Sequence, residues 1–167
     1  AHLADNVFDA ATFEIWGSLL NGAKLVVFDN KKGLLSYHGQ IYQTLRLYRI
    51  SILWLTKTLF DHLFLINPRT FKNLNYLLIG GEALNKYLIN KLINLKDKPT
   101  NILNGYGPTE NCTFSCIFNI KKERFKDTLS VPIGRSLSNR KCYVLSSQFT
   151  PLPIGAVGEL CVGGVGL

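Results

Sequence analysis

Short apolar runs rich in branched residues alternate along the chain with stretches whose apolar positions recur every three or four residues. That alternation is the layering of an α/β fold rather than of a bundle or a sandwich. Lys24-Leu-Val-Val-Phe28, Ile50-Ser-Ile-Leu-Trp-Leu55, Tyr76-Leu-Leu-Ile79 and Asn101-Ile-Leu103 are bounded by Gly, Asn, Asp or Pro and are apolar on both faces. Buried, parallel strands have that pattern. Leu84, Leu88, Leu92 and Leu95 fall at helical spacing, as do Ile41, Leu45 and Tyr48, while Leu59, Leu63 and Ile66 mark a third helix. Such stripes predict covering helices that pack on the sheet. Another helix is expected to carry Phe13 and Trp16. After about Thr113 strands are separated by longer polar loops, with Lys141-Cys-Tyr-Val-Leu145 and Gly158-Glu-Leu-Cys-Val162 flanking a Pro151-Leu-Pro-Ile-Gly155 turn. Antiparallel or mixed pairing is expected there. The predicted class is α/β, a mixed and largely parallel sheet with covering helices over about residues 1–120, then the start of a β-rich part over about 121–167.

The chain has 167 residues, 47% of them hydrophobic, which is enough to bury the core of one domain or part of one. It starts at Ala1-His2, contains no Met and stops at Gly166-Leu167 just after an expected strand, so both ends are expected to be cut. The net charge of +8 first suggests nucleic acid or an anionic surface. The charges fall otherwise: Lys31-Lys32, Lys96-Asp97-Lys98 and Lys121-Lys122-Glu123-Arg124 are short clusters in polar connecting segments, without a repeated basic face or aromatic ladder. Solvated loops explain them better. Cys112, Cys116, Cys142 and Cys161 form no C-x-x-C pair and have no histidine at zinc spacing, so reduced structural thiols are expected. No stretch approaches the ~20 apolar residues of a bilayer span, and no signal-peptide pattern opens the chain. A cytoplasmic protein is expected. His2, His38 and His62 fit no motif and receive no role.

Asn104-Gly-Tyr-Gly-Pro-Thr-Glu110 follows directly on an apolar strand, where ligands bind in open α/β sheets. Its chemistry suits a nucleotide. Gly105 and Gly107 permit close backbone approach, Tyr106 offers a flat face to a purine, Thr109 can donate to a phosphate, and Glu110 can hold a hard cation such as Mg2+. An ordinary tight turn is the competing reading. Gly80-Gly81-Glu82-Ala83 ends another strand and is expected to open the helix of Leu84, a second glycine pair at a place of close approach. Asp9, ahead of the helix with Phe13 and Trp16, reads by the general rule as a helix cap.

Phe8-Asp-Ala-Ala-Thr-Phe-Glu-Ile-Trp16, Asn104-Gly-Tyr-Gly-Pro-Thr-Glu110 and Gly158-Glu-Leu-Cys-Val-Gly-Gly-Val-Gly166 resemble three signature motifs of the adenylate-forming superfamily, in their usual order. Ile133-Gly-Arg135 and Pro151-Leu-Pro-Ile-Gly-Ala-Val-Gly158 match as well, so the resemblance covers essentially the whole chain. The aspartate of Phe8-Asp9-Ala10 is similar to that of the amino-acid-activating branch, the adenylation domains of nonribosomal peptide synthetases. That family pairs this carboxylate with the substrate's α-ammonium, a charge-assisted contact in a closed pocket. The resemblance implies that Asn104 and Tyr106 hold the adenine, that Gly80, Gly81 and Gly105 lie against the nucleotide, that Thr109 meets the phosphate, and that Glu110 meets magnesium. It implies ATP-dependent formation of an aminoacyl-adenylate with release of pyrophosphate, then transfer to the phosphopantetheine of a peptidyl carrier domain, with a condensation domain in the same synthetase. It further implies that the chain is the middle of a large N-terminal domain.

Counting from the motifs, the family's substrate pocket would fall on Asp9, Ala10, Phe13, Trp54, Leu78, Gly80, Gly105, Thr113 and Phe114. Asp9 is the one charged member; Phe13, Trp54, Leu78 and Phe114 are bulky and apolar, so the bound side chain should be uncharged and modest in size. The set resembles a valine code, with isoleucine or leucine next, since one methylene decides only about 1–3 kcal/mol. The family's phosphate loop would precede Ala1, and its hinge, ribose-binding aspartate and C-terminal lysine would follow Leu167, so the isolated chain is expected to be inactive. Two other readings stay open: an acyl or aryl acid:CoA ligase of the same superfamily, and a basic nucleic-acid-binding module.

Overall fold

The structure is a computed structural model that describes residues 1–28, 38–121 and 129–167. Five strands form the main sheet in the order β1-β2-β3-β4-β5: β1 Ile52–Thr56, β2 Tyr76–Gly80, β3 Asn101–Tyr106, β4 Cys116–Asn119 and β5 Arg135–Ser136. β1, β2 and β3 are parallel, and β4 and β5 join antiparallel. This is the mixed, largely parallel sheet that the apolar runs predict. A separate antiparallel pair, β6 Arg140–Leu145 with β7 Glu159–Gly164, ends the chain.

The helices are α1 Ala10–Leu19, α2 His38–Leu47, α3 Lys57–Ile66 and α4 Lys86–Ile93. Alternation along the strands divides the sheet into two faces. Leu53 and Leu55 of β1, Leu77 and Ile79 of β2, and Ile102 of β3 enter one core with Ile41, Phe60, Leu63, Phe64, Leu88, Ile89 and Leu92 of the helices. Removing each such leucine or isoleucine from water contributes about 1.5–3 kcal/mol. Phe60, Phe64 and Phe71 stack at its centre, with centroids 5.5–6.5 Å apart. The other face carries Trp54 and Thr56, Leu78 and Gly80, Leu103 and Gly105 in register across the three parallel strands. That second face holds the candidate site.

Two local readings are corrected. Lys24–Phe28 makes only a single parallel bridge, Val27 with His2, because no longer partner segment lies beside it among the described residues. The Gly80-Gly81 pair does not open a helix. α4 starts at Lys86, where the Asn85 side chain accepts from the amides of Tyr87 and Leu88 and fixes the start six residues beyond Gly80. Lys31-Lys32 and Lys122 to Arg124 lie outside the described residues; Lys96 and Lys98 are exposed in a connection, as solvated charges should be.

Candidate functional site

Parallel strands leave their carboxyl ends open to a ligand, and here Thr56, Gly80 and Gly105 stand side by side at that edge. Glycine is required at two of them by space. A Cβ on Gly80 would lie 2.1 Å from the Gly105 carbonyl oxygen, and one on Gly105 would lie 2.7 Å from the Phe114 ring. Phe114 therefore sits directly over β3, its centroid 5.2 Å from Phe13 in an edge-on contact and 6.5 Å from Trp54. The three rings form a continuous aromatic wall.

A cavity of about 610 Å³ opens in front of that wall. Of the residues singled out from sequence, it gathers Asp9, Ala10, Trp54, Gly81, Gly105, Gly107, Thr109, Thr113 and Phe114; Leu3, Phe8, Leu55 and Leu59 add apolar surface, and Asp5 adds a second carboxylate. Phe13 lies behind, on a second cavity of about 310 Å³. Trp54 borders both spaces. Leu78 and Gly80 are buried in β2 on the same sheet face without lining the larger cavity. Glu110 is exposed one residue beyond Thr109. Tyr106 is half-buried at the end of β3, and the Asn104 amide, buried, donates to the Pro132 carbonyl at 2.8 Å.

Asp9 occupies the cap position of α1 but does not cap it. Its backbone is helical (φ −59°, ψ −27°) rather than extended, and its side chain makes no bond to the first-turn amides. The capping reading is thereby set aside. Its carbonyl accepts from the Thr113 hydroxyl at 3.0 Å, which ties the start of α1 to the segment after the Thr109–Asn111 turn. Cys112 and Thr113 both have left-handed backbones, φ 49° and 63°, and that double twist turns Thr113 back toward Asp9.

Two groups escaped the sequence reading. Glu14, buried in α1, accepts from His2 Nδ1 at 2.7 Å and from the amides of Leu3 and Ala4 at 3.0 Å each. It thereby holds residues 2–4 against the cavity. A charge one helical turn beyond Ala10, on the buried face of α1, is the signal that could have found it. Arg140, at the start of β6, donates to the Asn111 and Cys112 carbonyls and to the Asn111 side-chain oxygen. Its place beside the turn depends on tertiary packing and leaves no local trace. Nearby, Cys116 of β4 and Cys142 of β6 bring their sulfurs to 3.1 Å, linking the two sheets. Burial first, then that contact, pushes the Cys116 thiol up to about 12.

No group of three or more His, Cys, Asp or Glu is placed to hold a metal ion among the described residues. No described helix is long and apolar enough to cross a membrane.

The profile of the family described as AMP-binding enzyme matches residues 1–167. Tyrocidine synthase 3 of Brevibacillus parabrevis is 43% identical over 161 residues, 96% of this chain and 2% of that protein. Gramicidin S synthase 2 of Brevibacillus brevis is 43% identical over 162 residues, again 96% of this chain and 4% of its own length. Among solved structures, PA1221, described as an NRPS protein containing adenylation and PCP domains, superposes with a TM-score of 0.90 at 31% identity. The alignment covers 99% of this chain and 33% of that one, so the chain spans only a small part of its synthase relatives and a third of that structure. The resemblance carried by the three motifs thus extends from end to end, and the chain belongs to the AMP-binding enzyme family.

Proposed function

We propose that this chain forms the amino-acid pocket and part of the nucleotide site of an adenylation domain of a nonribosomal peptide synthetase. The observation that carries this reading is Asp9: of the two carboxylates lining a largely apolar cavity, Asp5 accepts from the Val7 amide at 3.2 Å, while Asp9 is not used by the helix it precedes. An α-ammonium group is the partner that such a charge lacks. The substrate side chain would then run toward Trp54 and Phe114, which favours a compact apolar residue, L-valine first and isoleucine or leucine next.

For ATP, the sheet edge offers open backbone. A Cβ on Gly81 would meet nothing within 4 Å, and Gly107, Pro108 and Thr109 continue the same rim. Tyr106 and Asn104 would face the adenine and Thr109 a phosphate oxygen. A hard cation keeps water and phosphate oxygens among its ligands, so one exposed carboxylate next to Thr109 fits Mg2+, and Glu110 supplies it. When bound there, Mg2+ neutralises charge on the phosphates.

The reaction is attack by a carboxylate oxygen of the amino acid on the α-phosphorus of ATP, with the bond to pyrophosphate broken and an aminoacyl-adenylate formed. Asp9 fixes the amino end, the aromatic wall fixes the side chain, and the carboxylate is left at the strand ends facing the phosphates. Positioning of this kind, with fixed charges around the reacting atoms, is the source of the rate. A carrier domain bearing phosphopantetheine would accept the acyl group, and a condensation domain of the same synthetase would be a further partner, in a cytoplasmic protein. The test is ATP–pyrophosphate exchange by the complete adenylation domain against a panel of acids. Exchange greatest with L-valine is expected; exchange only with acids lacking an α-amino group would move the protein to the acyl-ligase branch.

A further inference from the structure

The Thr109–Asn111 turn is stretched between two demands. Its beginning leaves Thr109, on the cavity rim, and the neighbouring Glu110 exposed to solvent, and just past its end the chain twists through two consecutive left-handed residues, Cys112 and Thr113. Neither is glycine or asparagine, so the twist is strained and must be held from outside. It also turns two carbonyls, of Asn111 and Cys112, away from any regular ladder.

Arg140 takes up the Asn111 carbonyl and shares the Cys112 carbonyl with the Phe114 amide, which donates to it at 2.9 Å. It is half-buried on β6, in the second sheet, and its guanidinium reaches across to the Asn111 carbonyl, the Asn111 side-chain oxygen and the Cys112 carbonyl. A planar fork with several donors can serve three acceptors in one place; an ammonium cannot match that geometry. Asn111 is fully buried and passes the restraint on, since its amide donates to Ser115 Oγ at 2.9 Å. The following hydroxyl, of Thr113, donates to the Asp9 carbonyl at 3.0 Å. The turn after β7 closes over the same spot: a Cβ on Gly166 would collide with the Arg140 guanidinium and the Asn111 side chain. Second sheet, phosphate-side turn and ammonium-side aspartate are thus joined through residues 111–113, whose backbone links the Arg140 bonds at one end to the Thr113–Asp9 bond at the other.

We propose that Arg140 is a positioning residue for adenylation. It holds the strained turn so that Thr109 and Glu110 face the triphosphate and Mg2+ while Thr113 holds the backbone of Asp9. This rests on the adenylation reading above. It adds a residue of the second sheet to the determinants of the first sheet's chemistry.

The experiment uses the full-length protein that carries this chain, with Arg140→Ala, Arg140→Lys and, as an exposed neighbour outside the network, Lys141→Ala. Steady-state pyrophosphate exchange is measured against ATP, amino acid and Mg2+, and calorimetry gives the folded fraction. Loss of a charged hydrogen-bonding group predicts that kcat per folded Arg140→Ala molecule falls on the order of tenfold to a hundredfold, with a higher Mg2+ requirement. Added guanidinium ion, at concentrations well below denaturing, should restore part of that loss; Arg140→Lys should recover less than the free ion does, and Lys141→Ala should match the wild type. An active wild type with Arg140→Ala within twofold in kcat per folded molecule, at an unchanged Mg2+ requirement, overturns the proposal alone. A wild type that exchanges with no acid overturns the adenylation reading, and the proposal with it.

Discussion

Replacing Asp9 with alanine separates the two jobs that a carboxylate at a helix start can have. Where an aspartate caps a helix, its truncation costs about 1 kcal/mol of stability. Asp9 has the wrong backbone for that and bonds no first-turn amide, whereas Asn85, at the start of α4, accepts from Tyr87 and Leu88 at 3.0 and 3.4 Å. Asp9→Ala should therefore change stability by less than about 0.5 kcal/mol, and Asn85→Ala should lower it by about 1 kcal/mol, or roughly 2–4 °C in Tm. Activity should respond in the opposite order. An α-ammonium that loses its charged partner gives up about 1.5–3 kcal/mol, so kcat/KM for the amino acid should fall roughly tenfold to a hundredfold in Asp9→Ala. Asp9→Asn, which keeps the shape and removes the charge, should fall with it, and Asn85→Ala should keep its exchange rate. Thermal unfolding and pyrophosphate exchange on the same complete adenylation domains provide both readings. The reasoning fails if Asp9→Ala loses as much Tm as Asn85→Ala while its kcat/KM stays within twofold of the wild type.

Gly80→Ala should destabilise by about 3 kcal/mol, seen as a lower urea midpoint, because its Cβ would meet the Gly105 carbonyl at 2.1 Å and backbone there has no rotamer to escape into; an unchanged midpoint would contradict the close approach of β2 and β3. Phe64→Ala, which empties one ring from the buried Phe60, Phe64 and Phe71 stack, should cost about 3–5 kcal/mol in the same assay. The thiol of Cys116 predicts a pH effect. Its pKa rises on folding from 9.0 to about 12, so the folded form binds the proton more tightly; that contribution is complete below pH 9 and is lost as the pH climbs toward 12. Cys116→Val should flatten the fall in urea midpoint across that alkaline window, and identical slopes for variant and wild type would rule the thiol out as its source.

The parts of this fold that were legible in the sequence are those whose cause is local. Ile52–Thr56, Tyr76–Gly80 and Asn101–Tyr106 are apolar on both faces because helices or the Phe114 wall cover both, and that alone marks parallel strands. The leucine and isoleucine stripes mark α2, α3 and α4 for the same reason. Lys24–Phe28 has equally good strand composition, yet composition cannot supply a neighbour to pair with. At the site, Asp9 and Gly105 lie within motifs and Thr113 and Phe114 just after one, so short spacing limits where they can go, whereas Trp54, reached by counting from the motifs, comes to the same cavity through the pairing of the first two strands. Arg140 was invisible because what defines it is not its surroundings in the chain but three oxygens from residues 111 and 112. Glu14 lies inside a recognised motif, but the aromatic residues around it mask the one buried charge that anchors residues 2–4.

Trp54 borders both the larger cavity and the smaller, and with the Phe13–Phe114 contact it forms the partition between them. On the adenylation reading proposed above, Trp54 is the ring of that partition that faces both spaces, and so the one through which pocket depth would change. A change there to glycine would join the two chambers and admit a longer side chain without disturbing Asp9 or the strand ends, and exchange with an amino acid as long as tryptophan would register it. On that same reading, descendants of such a gene would acquire a new monomer in one mutational step, while the proposed grip of Asp9 on the amino end stays as it was.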